Sequence, residues 1–430
     1  MRILVVGGGG REHALAWALK RDLPPPAATL FAAPGNPGTA QLGTNLPIPA
    51  GEVLEVVKAV EEHRIDLTIV GPEAPLALGL ADRLRERGHA VFGPSAAAAR
   101  IEASKAFAKE VMAAAGVPAA PSRTFTDLAA ALRYIAAHAE PLVVKASGLA
   151  AGKGVIVCAT RAEASDTVRA MLAGNKFGDA GREVVVEAFL AGEELSVLAL
   201  TDGRRLLVLP PAQDHKRLGE GDTGPNTGGM GAYCPVALAS DRLIERVRRE
   251  IFEPTLHELA VRGSPYVGVL YAGLMVSSDG TPYVLEFNCR FGDPETQAIL
   301  PGLPPGVSEH LVAIATGNWR PATSVLRPQR AAVTTVLAAR GYPDAPEKGA
   351  AITLPPDLGP DVLVFHAGTT TDQAGALRTA GGRVLNVTGL GGSVAQAARA
   401  SRTASDRIAY DGKTWRRDIA WRELHRAGAA

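Results

Sequence analysis

The sequence contains few cysteines and no long hydrophobic run, and both shortages exclude whole classes of protein. Its three cysteines, Cys158, Cys234 and Cys289, lie far apart and in no spacing that is typical of a metal site. We therefore expect reduced thiols, as in a cytoplasmic protein. No segment approaches the roughly 18 consecutive apolar residues of a membrane-spanning helix, and the apolar run before Gly7 is too short for a signal-peptide core. We expect a soluble protein without a membrane partner.

An excess of charge of either sign is also missing. The 45 basic residues are balanced by 44 acidic residues, which leaves a formal net charge of +1. A protein that coats nucleic acid normally carries a strong positive charge, so we expect no nucleic-acid partner. The chain is 47% hydrophobic and 21% charged, as globular proteins are. Its 430 residues are enough for several domains.

The first hundred residues alternate short apolar runs with amphipathic helical patterns. The run "RILVVG" is followed by "REHALAWALKR", and the alternation continues through "DLTIVGPE" and "HAVFGPS". Such a βαβα alternation predicts a parallel sheet with helices on both faces. We therefore expect a doubly wound α/β domain over residues 1–100.

Two further units follow along the chain. Residues 101–325 begin with a helical pattern and continue with short apolar strands around glycine-rich turns. Residues 326–430 have the pattern of strands and turns, with an amphipathic helix expected at "RRDIAWREL". The sequence thus predicts a multi-domain α/β protein, α+β overall, with a β-rich C-terminal domain.

One strand carries two oxygen ligands on the same face. In "VLEFN", Glu286 and Asn288 are two residues apart, so their side chains project together while Phe287 points the other way. A carboxylate and an amide oxygen suit Mg²⁺ or Mn²⁺, which takes only a few protein ligands when phosphates and water complete the shell. The alternative is a solvated strand face. The apolar residues that flank the pair favour the metal site.

A glycine-rich loop joins two other strands. The segment "KASGLAAGKG" places Gly148, Gly152 and Gly154 between Lys145 and the next strand, with Lys153 inside the loop. Backbone N–H groups of such a loop can surround phosphate oxygens. The spacing differs from that of a Walker A loop, because a strand follows where that motif requires a helix. The alternative is an ordinary glycine hairpin.

A third segment, "VVVEAFLAGEELS", runs from a strand into an acidic crossover. The backbone from Glu187 through Ala188, Phe189 and Leu190 could face an adenine edge, and Glu194 could bind ribose hydroxyl groups. Acidic loops are common, so this segment alone is weak evidence for a nucleotide site. Its position in the chain after the lysine strand and the glycine-rich loop is what makes it informative.

These segments, in this order, resemble the ATP-grasp superfamily. The stretch "PPAQDHKRLGEGDTGPNTGGMGAY" narrows the resemblance to the phosphoribosylamine–glycine ligase family, and "GGGGREHAL", "APGNPGT", "GPEAPLALG", "SKAFAK" and "EFNCRFGDPETQ" are similar to that family too. The resemblance implies a central ATP-grasp domain with a flap subdomain at about residues 120–190. It also implies that ATP drives the joining of glycine to 5-phosphoribosylamine through glycyl phosphate, in purine biosynthesis. We expect a monomer.

The resemblance also assigns residues to roles. It implies that Glu286 and Asn288 hold Mg²⁺ or Mn²⁺. The residues implied to bind ATP are Lys105, Lys145, Gly148, Gly152, Lys153, Gly154, Glu187, Ala188, Phe189, Leu190, Glu194, Arg217 and Asn226. The residues implied at the reacting centre are Arg290, as a clamp for a carboxylate, together with Asp293, Asp214 and Lys216. The residues implied to bind substrate, without distinction between glycine and phosphoribosylamine, are Gly9, Gly10, Glu12, Asn36, Pro37, Gly38, Gly228, Gly229 and Met230.

Three other functions remain as alternatives. A dehydrogenase would need a dinucleotide fingerprint, but Glu12 stands at the third glycine position and no acid follows the second strand. A ligase or carboxylase of the same superfamily could act on a different acid. A non-catalytic nucleotide-binding regulator would not need Lys145, Glu286 and Asn288 together.

The sequence also departs from the family pattern at several positions. Ser147 and Ala188 stand where an acid is usual, Glu220 replaces an aspartate, and Cys234 replaces a serine. The strand "YAGLMVS" has no carboxylate that could serve as a third protein ligand to a metal.

Overall fold

The structure is a computed structural model that describes residues 1–150, 154–174 and 177–428. The N-terminal part is built on a parallel sheet of five strands in the order β3–β2–β1–β4–β5. These elements are β1 (Arg2–Gly7), α1 (Gly10–Asp22), β2 (Thr29–Pro34), β3 (Thr44–Asn45), α2 (Val53–Glu62), β4 (Leu67–Val70), α3 (Glu73–Ala77), α4 (Leu80–Glu86), β5 (Ala90–Phe92) and α5 (Ala96–Ala103). The predicted doubly wound sheet is confirmed.

The middle of the chain forms two antiparallel sheets. Its elements are α6 (Lys105–Ala114), β6 (Ser122–Phe125), α7 (Leu128–Ala136), β7 (Leu142–Ala146), β8 (Val155–Cys158), α8 (Arg161–Leu172), β9 (Val184–Ala188), β10 (Glu193–Thr201), β11 (Leu206–Val208), β12 (Gln213–Asp214), β13 (Arg217–Gly219), β14 (Thr223–Asn226), β15 (Gly231–Cys234), α9 (Asp241–Val247), α10 (Glu253–Val261), β16 (Gly268–Val276), β17 (Pro282–Asn288) and α11 (Glu295–Gly302). One sheet has the order β6–β9–β7–β8 and the other β11–β10–β16–β17. A π-helical turn, Arg248–Phe252, joins α9 to α10.

The C-terminal part shares its sheet with the middle of the chain. Its elements are α12 (Val307–Ala315), β18 (Ala331–Ala338), β19 (Val362–His366), β20 (Thr369–Thr371), β21 (Leu377–Thr379), β22 (Arg383–Gly391), α13 (Val394–Arg407) and α14 (Trp421–Arg426). The sheet order is β12–β15–β18–β22–β19, so residues 213–234 leave the second central sheet and pair with the C-terminal strands. The polar segment between β12 and β15 is thereby held between the two parts.

The C-terminal part contains a helix that the sequence did not predict. Helix α13 packs on β22 and β18, and its buried face consists of Ala397, Ser401, Ala404 and Ser405. The helix is amphipathic, but its buried face has no large apolar side chain, so the apolar strand runs around it dominated the prediction. The β-rich character of this part is confirmed, with α13 as an addition.

The helix predicted at "RRDIAWREL" is mostly wrong. Only Trp421–Arg426 is helical, and Ala420 before it has a φ of 70°, which a helix does not allow. Arg416 lies outside the helix, and its side chain is buried. No helix within the described residues combines the length and the apolar character that crossing a membrane would need.

Candidate active site

The hairpin of β16 and β17 is shaped to display Glu286. The register shifts between Gly273, which lies opposite Glu286, and Leu274, which lies opposite Val284, so that Leu285 forms a bulge. A Cβ atom at position 273 would come within 3.3 Å of Glu286 Cγ. Glycine at this position therefore leaves room for the glutamate side chain over the neighbouring strand.

Cations keep the Glu286 carboxylate charged. Burial alone would raise the pKa of this carboxyl, but Lys216, Lys145, Lys105 and Arg290 outweigh burial and lower the pKa. The three lysines come from three separate elements of the chain. An ionised carboxylate among several lysines is suited to a polyanionic ligand that arrives together with a divalent cation.

Asn288 is fixed by its neighbour Arg290. The Arg290 guanidinium donates from Nη2 to Asn288 Oδ1 at 3.0 Å, and it forms ion pairs with Glu102 at 3.0 Å and with Glu73 at 3.2 Å. Burial would lower the pKa of Arg290, yet Glu102 and Glu73 raise it. Arg290, the predicted clamp for a carboxylate, is thus paired with Glu102 and Glu73 of this chain. Neither glutamate had been assigned a role from the sequence.

The donor set fits a divalent cation that takes few protein ligands. Glu286 supplies a charged oxygen, and the amide oxygen of Asn288, oriented by Arg290, retains a free lone pair. Among the residues that the structure describes, no group of three or more His, Cys, Asp or Glu side chains could hold a metal. A hard cation bound by phosphates and water needs only one or two protein ligands, so this pair is sufficient.

Two of the predicted phosphate-binding lysines lie under the start of the glycine-rich loop. Lys105 Nζ donates to Gly148 O at 3.3 Å, and its backbone N–H donates to Ser147 O at 2.8 Å. Lys145 Nζ donates to Leu285 O at 2.9 Å, which ties the strand before the loop to the strand that carries Glu286. Gly154 closes the loop by accepting from Ala146 N–H at 2.8 Å. The predicted residues Gly152 and Lys153 lie outside the described residues.

The Glu187 carboxylate is buried between two lysines. It pairs with Lys145 and with Lys109, the latter at 2.6 Å, and its side chain is only 2% exposed. The side chain is therefore engaged within the protein, while the strand end from Ala188 onward emerges towards the surface and exposes Phe189. Lys109, which was not predicted from the sequence, lies one helical turn after Lys105 on α6.

A second acidic group surrounds Lys216. Its ammonium contacts the Glu194 carboxylate and lies 3.9 Å from Asp214 Oδ2. Burial raises the pKa of Asp214 to about 7, with Lys216 opposing and Glu295 and Glu194 adding to the rise. Burial acts in the opposite direction on Lys216, but Asp214 and Glu194 raise its pKa well above the usual value. Predicted ATP-binding and reacting-centre residues therefore meet here.

Glu295 is a further buried acid that the sequence-based roles omitted. Tyr271 Oη donates to Glu295 Oε1 at 2.7 Å, and Ser196 Oγ donates to the same atom at 3.1 Å. The signal was present, because Glu295 follows Asp293 within the motif "GDPETQ".

The N-terminal loops are held largely by internal hydrogen bonds. Glu12 caps α1 by accepting from Gly9 N–H at 2.7 Å, and it accepts from Arg11 Nε at 2.5 Å. Asn36 donates to Gly8 O at 3.0 Å, and its Oδ1 accepts from Gly38 N–H at 2.8 Å. Both side chains therefore shape the loops, and the backbone around them forms the surface that a ligand could meet.

Two predicted loops, that of Gly9 and that of Gly228 and Gly229, converge on Asp293 and Pro294. Arg383, from β22, pairs with Asp293 Oδ2 at 3.0 Å and donates to Gly228 O at 2.5 Å. A Cβ atom at Gly9 would lie 3.5 Å from Asp293 Oδ2, and one at Gly229 would lie 2.5 Å from Pro294 Cδ. The C-terminal domain thus contributes to the site through Arg383, which sequence analysis did not identify.

Four other predicted residues are distributed around this junction. Met230 is fully buried and fixes the loop by donating its N–H to His215 O at 2.7 Å. Gly10 packs against the Asn386 side chain, while Arg217 and Asn226 face each other on β13 and β14 with exposed side chains. The structure therefore does not place Arg217 and Asn226 in the buried cluster.

Comparisons with known proteins point to one family along almost the whole chain. Family models described as the N domain, the ATP-grasp (A) domain and the C domain of phosphoribosylglycinamide synthetase match residues 1–102, 103–296 and 332–422. Two relatives named phosphoribosylamine–glycine ligase, from Yersinia pestis and Ralstonia nicotianae, are each 47% identical over 99% of this chain and 100% of their own length.

Solved structures give the same result. The phosphoribosylamine–glycine ligase of Thermotoga maritima is 38% identical, with a TM-score of 0.87 over 97% of this chain and 100% of that one. A biotin carboxylase of Campylobacter jejuni, 15% identical, shares the fold with a TM-score of 0.74 over 99% of this chain and 95% of that one. The chain belongs to the phosphoribosylamine–glycine ligase family, whose central domain has the ATP-grasp fold.

Proposed function

We propose that the protein joins glycine to 5-phosphoribosylamine at the cost of one ATP, forming glycinamide ribonucleotide, ADP and phosphate. The observation that carries this proposal is the ionised Glu286 carboxylate beside Asn288, with Lys105, Lys145 and Lys216 around it. This arrangement suits a nucleotide phosphate chain with a divalent cation. The names of the relatives, at 47% identity over almost the full chain, supply the two substrates.

The chemistry requires activation of a carboxylate. An oxygen of glycine attacks the γ-phosphorus of ATP, and ADP leaves, so that glycyl phosphate forms. The amine of phosphoribosylamine then attacks the acyl carbon and phosphate leaves. The protein contributes position and charge, and holding two reactants in register can lower the barrier by roughly 7–11 kcal/mol.

The proposed nucleotide site lies between the two central sheets. Lys105 and Lys145 neutralise phosphate charge beneath the glycine-rich loop, and the strand end at 187–190 faces the adenine. Glu194 binds the ribose from the start of β10, close to Lys216. Closure of a loop over this site would exclude water, which otherwise hydrolyses an acyl phosphate.

Glu286 and Asn288 would hold the divalent cation, and we propose Mg²⁺ with Mn²⁺ as a substitute. When bound, the cation neutralises negative charge on the phosphate oxygens. Both are hard cations that oxygen donors suit. We further propose that Arg290 keeps Asn288 oriented and that Arg383 holds Asp293.

The second substrate is proposed to bind where the N-terminal loops meet Asp293. The backbone of Gly9 and Gly10 at the start of α1 and the loop of Asn36, Pro37 and Gly38 lie on one side, and Gly228 and Gly229 lie on the other. Partly free backbone N–H groups at a helix start are suited to a phosphate group. We propose that the enzyme acts in the cytoplasm as a monomer.

ADP release by the purified protein with Mg-ATP tests the proposal, with each substrate omitted in turn. Phosphoribosylamine is unstable, so it would be generated in place from ribose 5-phosphate and ammonia. We expect ADP only when glycine and phosphoribosylamine are both present. ADP release with another acid instead of glycine would contradict the substrate assignment, and no ADP release with any pair would contradict the activity.

A further inference from the structure

An arginine near the end of the chain is buried in a position that the reaction chemistry does not explain. Arg416 is 1% exposed. Its Nε and Nη2 donate to the two oxygens of Asp418, each at 2.7 Å, and its Nη1 donates to Asp222 Oδ1 at 2.9 Å and to Arg217 O at 3.1 Å. Arginine is almost never buried unless it is paired, so this guanidinium links distant segments at a considerable desolvation cost.

The segments that Arg416 links are themselves strained. Asp222 has a φ of 56° and Ala420 a φ of 70°, and both are non-glycine residues in the left-handed region. Such conformations cost about 1–3 kcal/mol and persist only where the surroundings impose them. The conformation of Asp222 is constrained from two sides, because Arg422 as well as Arg416 pairs with its carboxylate. The contact between residues 416–420 and the segment of Asp222 is therefore a specific one, because a chance approach of two surfaces would not hold a strained backbone.

A second contact lies on the other side of Lys216. The N–H of Ala420 donates to His215 Nε2 at 2.9 Å. Burial lowers the pKa of His215, so the ring is neutral and its proton lies on Nδ1. His215 and Arg217 flank Lys216 in the sequence, and both are held by residues 416–420.

Lys216 is the residue between these two anchors. Its ammonium contacts Glu194, lies 3.9 Å from Asp214, and lowers the pKa of Glu286 more than any other cation. The ring of His215 and the backbone carbonyl of Arg217 are both held, which restricts where the Lys216 side chain can reach.

We propose that residues 416–420 are a positioning element for Lys216, with Arg416 as the positioning residue. The inference rests on the proposed function, because it assumes that Lys216 acts on bound ATP. The C-terminal segment then contributes to nucleotide binding from outside the nucleotide site. An error of about 1 Å in the position of an active-site group can cost up to 100-fold in rate, so the contact has a measurable consequence.

A double-mutant cycle with steady-state kinetics tests this inference. We expect Lys216→Met and Arg416→Met each to raise the KM for ATP by about tenfold or more, with the KM for phosphoribosylamine unchanged. Because Arg416 acts through Lys216, the double variant should be no worse than Lys216→Met. Arg417→Met, one position along the chain, is the matched control, since it removes an exposed ion pair with Asp406 and a cation–π contact with Trp415.

Effects that multiply in the double variant would overturn the inference, as would an unchanged KM for ATP in either single variant. If Arg416→Met fails to fold, Asp418→Asn replaces it in the cycle, because that change weakens the forked contact while keeping the shape of the side chain. An inactive wild-type protein would contradict the proposed function. An active wild type with multiplying effects would contradict the positioning role alone.

Discussion

Three lysines and an arginine surround the Glu286 carboxylate and keep it ionised. Replacing it by the neutral isostere in Glu286→Gln should lower kcat for ADP release by about 100-fold or more, since the charge that faces the cation is lost. The circular dichroism spectrum and the Tm should change little. Glu250→Gln, which weakens an exposed ion pair with Arg246, is the control. Near-normal turnover in Glu286→Gln would contradict the metal assignment.

Glu187 gives a prediction about stability. Its carboxylate neutralises Lys145 and Lys109 in the interior, so Glu187→Gln leaves two buried ammonium groups without their partner. We expect a loss of about 3–5 kcal/mol in the free energy of unfolding, measured by urea denaturation. Glu140→Gln weakens an exposed pair with Arg161 and should leave the free energy of unfolding nearly unchanged. Equal losses in both variants would show that Glu187 is not a structural counter-ion.

At the scale of single residues, the sequence predicted what depends on local spacing. Glu286 and Asn288 follow from the alternation of a strand, and the structure places Glu286 beside the predicted lysines and Asn288 against Arg290. The partners of Arg290 did not follow, because Glu73 and Glu102 are distant in sequence and meet it only in the folded chain. A charged residue in a motif indicates that a partner exists without indicating which one.

Among the elements, α1, α11 and β22 meet at a glycine. A Cβ atom at Gly10 would lie 2.1 Å from Asn386 Nδ2 and 2.7 Å from Gln297 Nε2. We expect Gly10→Ala to destabilise the protein by about 1–3 kcal/mol and to raise the KM for phosphoribosylamine, because these side chains must move. Gly51→Ala, where a Cβ atom meets nothing within 4 Å, is the control in thermal melts. An unchanged Tm and KM in Gly10→Ala would contradict this close packing.

Elements with a strong pattern were predicted and elements with a weak pattern were not. The parallel sheet and the hairpin of β16 and β17 have buried apolar runs that fix their type. Helix α13 buries alanine and serine, and residues 416–420 are held by ion pairs and by two left-handed residues. The buried face of α13 has no large apolar side chain and ion pairs leave no hydrophobic period, so tertiary contacts decided both.

In the whole molecule, two histidines join the first and last domains. His366 donates its backbone N–H to His13 Nδ1 at 2.8 Å, and its carbonyl accepts from Asn36 at 2.8 Å. Burial lowers the pKa of His13 to about 3, with His366 adding to the effect, and burial lowers the pKa of His366 to about 4. Both rings are therefore neutral in the folded protein near neutral pH.

The burial of His13 and His366 as neutral rings predicts a loss of stability in mild acid. Below the unfolded pKa of about 6.5 the unfolded chain binds protons that the folded chain does not, so stability falls as the pH falls towards 4. Between pH 6.5 and pH 5 we expect a loss of about 2 kcal/mol for each histidine. Urea denaturation across this range should show a shallower dependence in His13→Asn, which keeps an acceptor near Nδ1.

His257→Asn, at an exposed position, is the control for the acid dependence. An identical pH dependence in wild type and His13→Asn would contradict the role of the histidine pair. The order of the domains could be predicted from the motifs, whereas this contact between His13 and residue 366 could not, because 353 residues separate the partners.

The central claim is that the site activates the carboxylate of glycine as an acyl phosphate. Turnover with glycine carrying ¹⁸O in its carboxylate, followed by mass spectrometry of the released phosphate, tests this step directly. We expect one ¹⁸O atom in each phosphate, because the bridging oxygen of glycyl phosphate leaves with phosphorus when the amine attacks. Release of unlabelled phosphate during productive turnover would contradict the account.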